Sequence, residues 1–80
     1  MVLEFEDDED RQLFEKLRLL RLEIARNLEL PPYVVFHDKT LKEMAILKPK
    51  SLAAMLQVTG IGEKKLEMFG DSFLEVIKRR

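Results

Sequence analysis

Residues 13–32, LFEKLRLLRLEIARNLELPP, read as one long helix running into a stop. Leu13, Leu17, Leu20, Ile24 and Leu28 recur at three- and four-residue spacing with Phe14 beside them, which gathers them on one stripe of an α-helix. Pro31-Pro32 closes it, because proline supplies no amide hydrogen and drives the preceding residue out of helical geometry. Working back, the same pattern extends to about Asp8. Before that, six acids between Glu4 and Asp10 repel one another and only Val2, Leu3 and Phe5 offer anything to bury. Residues 1–8 are therefore expected to be an acidic, flexible lead-in, and 9–80 the folded domain.

Working forward, Tyr33-Val34-Val35-Phe36 is expected to form an ordered connector, with Val34, Val35 and Phe36 in the core. Asp38 or Thr40 can cap a second helix, since Thr40-Leu41-Lys42-Glu43 fits a capping box, and Leu41, Met44, Ala45 and Leu47 supply its buried side. Ser51 can cap a short third helix reaching Leu56 after Pro49 has ended the second. Gly60-Ile61-Gly62 then turns the chain into a fourth helix, about Glu63 to Phe69, which Gly70 ends. Asp71 or Ser72, the latter with Glu75 in capping-box spacing, begins a fifth that faces Phe73, Val76 and Ile77 inward. The expected fold class is all-α, a compact five-helix globule with no sheet. Eighty residues, 46% apolar and 36% charged, fit one small soluble domain.

LFEKLRLLRLEIA, LPPYVVFHDKTLKEMA and MLQVTGIGEKKLEMFGDSFLEVI, in this order, resemble the helicase-and-RNase-D C-terminal (HRDC) domain over residues from about 11 to 78. The resemblance implies a five-helix accessory module of a RecQ-type DNA helicase. Such a module binds single-stranded or structured DNA weakly and modulates substrate engagement in repair and recombination. It also implies that Tyr33, in the connector, is the DNA-contacting aromatic. The wording is closer to RecQ helicases than to RNase D-type ribonucleases, whose RNA-binding accessory domain is the related alternative.

The residues themselves offer no catalytic constellation. There is no cysteine, no phosphate-cradling loop, and a single histidine, His37, with no second imidazole to share a metal. The acidic run lacks the glycine and alternating ligand order of a calcium loop. The chain is read as a non-enzyme with no cofactor and no metal, whose parent protein would be the ATP-dependent helicase.

Binding is the open chemistry. Tyr33 follows a rigid proline step that can hold its ring at the surface for a base to stack on, or it can pack on the end of the first helix with its hydroxyl in water. Arg11, Arg18 and Arg21 share one flank of the first helix, and Lys39 and Lys42 lie near Tyr33 in sequence. These five are the candidate phosphate contacts, or a solvated surface partly neutralised by Glu15, Glu23 and Glu43. Gly60, Gly62, Lys64 and Lys65 form a secondary candidate resembling a helix-hairpin-helix turn, although two glycines also suit any abrupt helix-to-helix turn.

Leu19 and Leu22 fall outside the apolar stripe, so they should face outward as a surface for other domains of the parent helicase, or as scattered surface leucines. A net charge of -1 argues for weak strand binding, because phosphate contacts supply most of the affinity. Without a cysteine, leader or long apolar run, the expected setting is the bacterial cytosol or nucleoid, with no membrane contact and a monomer in isolation.

Overall fold

Asp7 opens the first helix by accepting the Asp10 amide on its carboxylate, 3.0 Å away, which satisfies a donor that every helix start leaves unpaired. Asp8, Glu9 and Asp10 then set negative charge against the positive end of the helix dipole. The computed structural model describes residues 4–79. Among them are α1 (Asp8–Leu28), α2 (Pro32–Val35), α3 (Asp38–Leu47), α4 (Leu52–Met55) and α5 (Glu63–Arg79), with no strand. The all-α, five-helix expectation is met, but two of the five helices are not those the sequence suggested.

The first difference lies at the connector, which contains a full helical turn, α2. Pro31 sits at its N-cap and Pro32 at its first position, where a fixed φ favours the helix and the missing amide costs nothing. The second lies at Gly70, which does not end a helix. A Cβ on Gly70 would stand 2.9 Å from Leu66 Cδ1 and 3.0 Å from Leu52 Cδ2. The glycine is there so that α4 can lie close against α5, and α5 runs straight through it. Ser72 and Glu75 accordingly form no capping box; Glu75 pairs instead with Arg79 on the exposed face, 2.5 Å away.

The stop after α1 is also more local than two prolines. Glu29 adopts the left-handed conformation (φ 58°), and the Glu29 and Leu30 amides return to the Arg26 and Ala25 carbonyls at 3.1 and 2.9 Å. Leu28 and Leu47, both expected in the core, are exposed. Each is the last residue of its helix, beside a left-handed cap (Glu29, Lys48) that turns the chain away from the packed face. Val34 is exposed as well, because α2 turns Val35 and the following Phe36 inward and leaves Val34 on the opposite side.

α1 packs on α2, α3 and α5, and α4 packs on α5. Leu13, Leu17 and Ala25 of α1 meet Leu41, Met44 and Ala45 of α3 and Phe69, Phe73 and Ile77 of α5 in one buried cluster. Phe36 stands edge-on to Phe69 and Phe73, with ring centroids 5.9 and 5.0 Å apart, an arrangement that aromatic quadrupoles favour. This ring anchors the segment that carries Tyr33.

Two polar clasps set α1 antiparallel to α3. At one end Lys48 pairs with Asp10, whose carboxylate is only 3% exposed and also accepts the Glu6 amide at 3.0 Å. At the other, Arg21 donates to the Phe36 carbonyl (3.0 Å) and to Asp38 (2.8 Å). The Lys48 ammonium, and after it the Glu6 amide, hold the Asp10 carboxyl below its ordinary value of 3.8, against the opposing pull of burial. A carboxyl with a lowered folded-state pKa adds stability that is complete above the unfolded value and is lost as pH falls through the folded one. Urea midpoints measured across acid pH should therefore drop below pH 3.8, and Asp10→Asn should flatten that part of the profile while lowering the neutral-pH midpoint. An unchanged acid limb in the variant would contradict the clasp.

The lead-in is partly docked. Met1 to Leu3 lie outside the described residues, but Phe5 is half-buried against Phe14, with centroids 5.3 Å apart. Order therefore starts ahead of α1.

Candidate nucleic-acid interface

Tyr33 projects from α2, where Pro31 and Pro32 fix the entry of the chain and Phe36 fixes its exit in the core. Its ring is 60% exposed and lies nearly parallel to the His37 imidazole, at 6.2 Å between centroids and 24° between planes. The sequence marks His37 only as a lone imidazole. It is the N-cap of α3, makes no side-chain cap hydrogen bond, and instead backs the tyrosine. No helical spacing links the two: α2 ends at Val35, Phe36 is extended, and the pairing depends on how the chain turns from α2 into α3. A planar, supported and exposed ring is a platform on which an unpaired base can stack.

The start of α3 is joined to the glycine turn. Thr40 Oγ1 donates to the Thr59 carbonyl (2.9 Å), while the Glu43 carboxylate accepts the Thr59 amide (3.1 Å) and hydroxyl (3.3 Å). The expected capping box is thus redirected: both of its side chains grip a loop residue, and His37 takes the cap. Gly60 follows at φ +90°, and a Cβ there would stand 2.4 Å from Thr40 Oγ1, so this position requires glycine on two grounds. Nothing lies within 4 Å of a Cβ at Gly62. Ile61, between the two glycines, is buried.

The clasp at Thr59 ties the secondary candidate to the start of α3, next to Tyr33 and His37. Lys64 is exposed, whereas Lys65 lays its ammonium over the Phe36 ring at 5.8 Å. Glu63 occupies the first turn of α5, where its carboxylate opposes an incoming phosphate.

The basic candidates divide three ways. Lys39 is exposed, and Lys42 lies one turn further along α3 on a similar bearing. Lys42 and Arg11 converge on the same ring, at 5.3 and 5.7 Å from the centroid of Phe5. Arg18 is exposed and pairs loosely with Glu15 at 3.4 Å, a contact that leaves the guanidinium available to a stronger anion. Arg21 does not belong with them. It is 7% exposed, its Nη1 is used by Phe36 and Asp38, and its Nε is buried without a partner, so it holds the connector to α1 and offers nothing to a strand. The helical wheel put it on the same flank as Arg11 and Arg18, but α2 and α3 close over that part of the flank.

Leu19 and Leu22 are exposed, as their positions implied. Leu19, at 62%, lines an open groove with Lys16, Leu20, Glu23, Val76 and Arg79, where α1 meets the end of α5. Among the described residues there is no cluster of three metal-ligating side chains and no helix long and apolar enough to cross a membrane.

Known proteins share this architecture. Residues 10–77 match the HRDC domain family. The chain is 49% identical over 69 residues (86% of its length) to the ATP-dependent DNA helicase RecQ of Haemophilus influenzae. It is 44% identical over 70 residues (88%) to the ATP-dependent DNA helicase RecQ of Bacillus subtilis. Against the ATP-dependent DNA helicase UvrD2 of Mycobacterium tuberculosis it is 40% identical over 73 residues (91%). These matches cover 11%, 12% and 10% of the relatives, so the chain spans about a tenth of the length of the curated proteins it matches. A solved structure, D. radiodurans RecQ HRDC domain 3, superposes with a TM-score of 0.84 at 36% identity, covering 88% of this chain and 92% of that one. Matched in sequence across nearly all its helices and in fold to a RecQ domain, the chain belongs to the HRDC domain family.

Proposed function

We propose that this domain is a non-catalytic accessory module of a RecQ-type DNA helicase, and that it binds single-stranded or structured DNA weakly through the end of the globule that carries Tyr33. The observation that carries the reading is the supported, 60% exposed Tyr33 ring beside His37. Lys39, Lys42, Arg11 and Arg18 supply phosphate contacts along α3 and the facing flank of α1, and Lys64 adds one from the glycine turn. With a net charge of -1, few counterions are released on binding, so the affinity is low and falls with salt. Tethering to a helicase core compensates by raising the local concentration of the domain near the strand. In that role the domain modulates how the enzyme engages its substrate in repair and recombination.

Tyr33→Ala should weaken binding of a labelled single-stranded oligonucleotide by roughly 1–3 kcal/mol, the worth of one stacked base, as read by fluorescence anisotropy at low salt. Because the ring is exposed, the urea midpoint should barely move. Equal affinity for both proteins would remove Tyr33 from the interface. A second reading, docking onto other domains of the same helicase, is favoured by Leu19 lining the open α1–α5 groove and by exposed Leu22 one turn further along α1. The two faces differ, and both roles can be served at once by a monomeric domain.

A further inference from the structure

Phe5 occupies the surface where two of the proposed phosphate contacts converge. Its ring lies tilted on half-buried Phe14 (5.3 Å, 56°), with the Lys42 ammonium 5.3 Å and the Arg11 guanidinium 5.7 Å from its centroid. Exposed Glu4 and Glu6 flank it in sequence. An aromatic ring between two carboxylates, seated on an aromatic and two cations, presents the chemistry of a base between two phosphates. We infer that the docked lead-in is a displaceable mimic of a nucleic-acid strand, and that the Arg11–Phe14–Lys42 surface beneath Phe5 is a second base-stacking site. The inference rests on the strand-binding reading above and adds a site away from Tyr33.

The attachment is suited to exchange. Cation–π contacts at exposed sites are individually weak, and a nucleotide strand offers the same two cations a ring together with full phosphate charges. The segment is tethered where the Glu6 amide donates to Asp10 (3.0 Å), immediately ahead of α1, so Phe5 can leave without disturbing the helix. Docked, its ring occupies Arg11 and Lys42 and brings a strongly acidic segment to that surface; released, it exposes both cations and Phe14 together.

The test uses a short fluorescein-labelled oligothymidylate at low and moderate salt, with the unaltered protein, Phe5→Ala and Glu4→Gln/Glu6→Gln. Phe5→Ala should bind about tenfold more tightly, the gain expected when the open state is about one-tenth populated in the unaltered protein. The glutamate pair keeps the ring and its packing, so it should also tighten binding without loss of fold. It should do so more than Glu67→Gln/Asp71→Asn, which makes the same charge change on the exposed surface of α5. In the unaltered protein, saturating oligonucleotide should abolish the ring-proton contacts between Phe5 and Phe14 seen by nuclear magnetic resonance. If Phe5→Ala binds equally or more weakly, or if the ring contacts persist at saturation, the mimic is wrong and strand binding through Tyr33 stands. If neither the unaltered nor the released protein binds at low salt, both fall.

Discussion

Replacing Phe36 by alanine is expected to remove about 3–5 kcal/mol of stability, the usual cost of emptying a buried phenylalanine site. The ring is 1% exposed and is held edge-on by Phe69 and Phe73 of α5, with Lys65 over it. A domain of this size has a total stability of only about 4–12 kcal/mol, so the variant should melt tens of degrees lower or be largely unfolded at room temperature. The consequence reaches function because Phe36 is the anchor that follows Tyr33 and precedes His37. Any Phe36→Ala protein that remains folded should lose strand affinity along with stability, since the tyrosine platform then has no fixed exit from α2. Retained stability in urea titrations would mean that the core is not centred on this ring.

Arg21→Ala is expected to cost about 2–4 kcal/mol, because it strands the buried Phe36 carbonyl and leaves a void where the aliphatic stem packed. Asp38→Asn should cost far less, under about 1 kcal/mol, since that partner is largely exposed and its pairing with Arg21 is screened by water. The pair of variants separates the two roles that a basic residue on this flank could have. Strand affinity per folded molecule should be unchanged in Arg21→Ala, as measured at a temperature where the variant is fully folded. A stable variant with impaired binding would return Arg21 to the interface.

These two residues show where sequence reasoning reached and where it stopped. The α1 boundaries, the Ser51 cap and the outward Leu19 and Leu22 follow from spacing and local hydrogen bonding, and each stands where the pattern puts it. Ser51, for instance, accepts the Ala54 amide at 3.1 Å. Arg21 is different because its fate depends on which element covers its flank, and a wheel holds no information about neighbours. Gly70 failed for the same reason: alone it looks like a stop, and only the approach of Leu52 from α4 explains why a continuous helix keeps it. Thr40 and Glu43 matched a local motif, but the loop at Thr59, distant in sequence, competed successfully for both side chains.

The candidate site divides along the same line. The exposure of Tyr33 is legible from the proline step before it, whereas its backing by His37 and the convergence of Arg11 and Lys42 on Phe5 require tertiary structure. In sequence the acidic lead-in shows only repelling charge and a few apolar side chains; the cations that meet Phe5 lie on α1 and α3 and are visible only in the fold. Family resemblance implies a role for Tyr33 that spacing alone leaves open; the exposed ring beside His37 is the feature on which that proposed role rests.

The proposed meeting of a nucleic-acid strand with this domain lies at the Tyr33 end. It is tested most directly by following backbone amide resonances while a single-stranded oligonucleotide is added at low salt. Progressive, saturable shifts are expected at Tyr33, His37, Lys39 and Lys42, weakened at moderate salt and lost around α2 in Tyr33→Ala. Resonances of these four residues that stay still through an excess of oligonucleotide would contradict it.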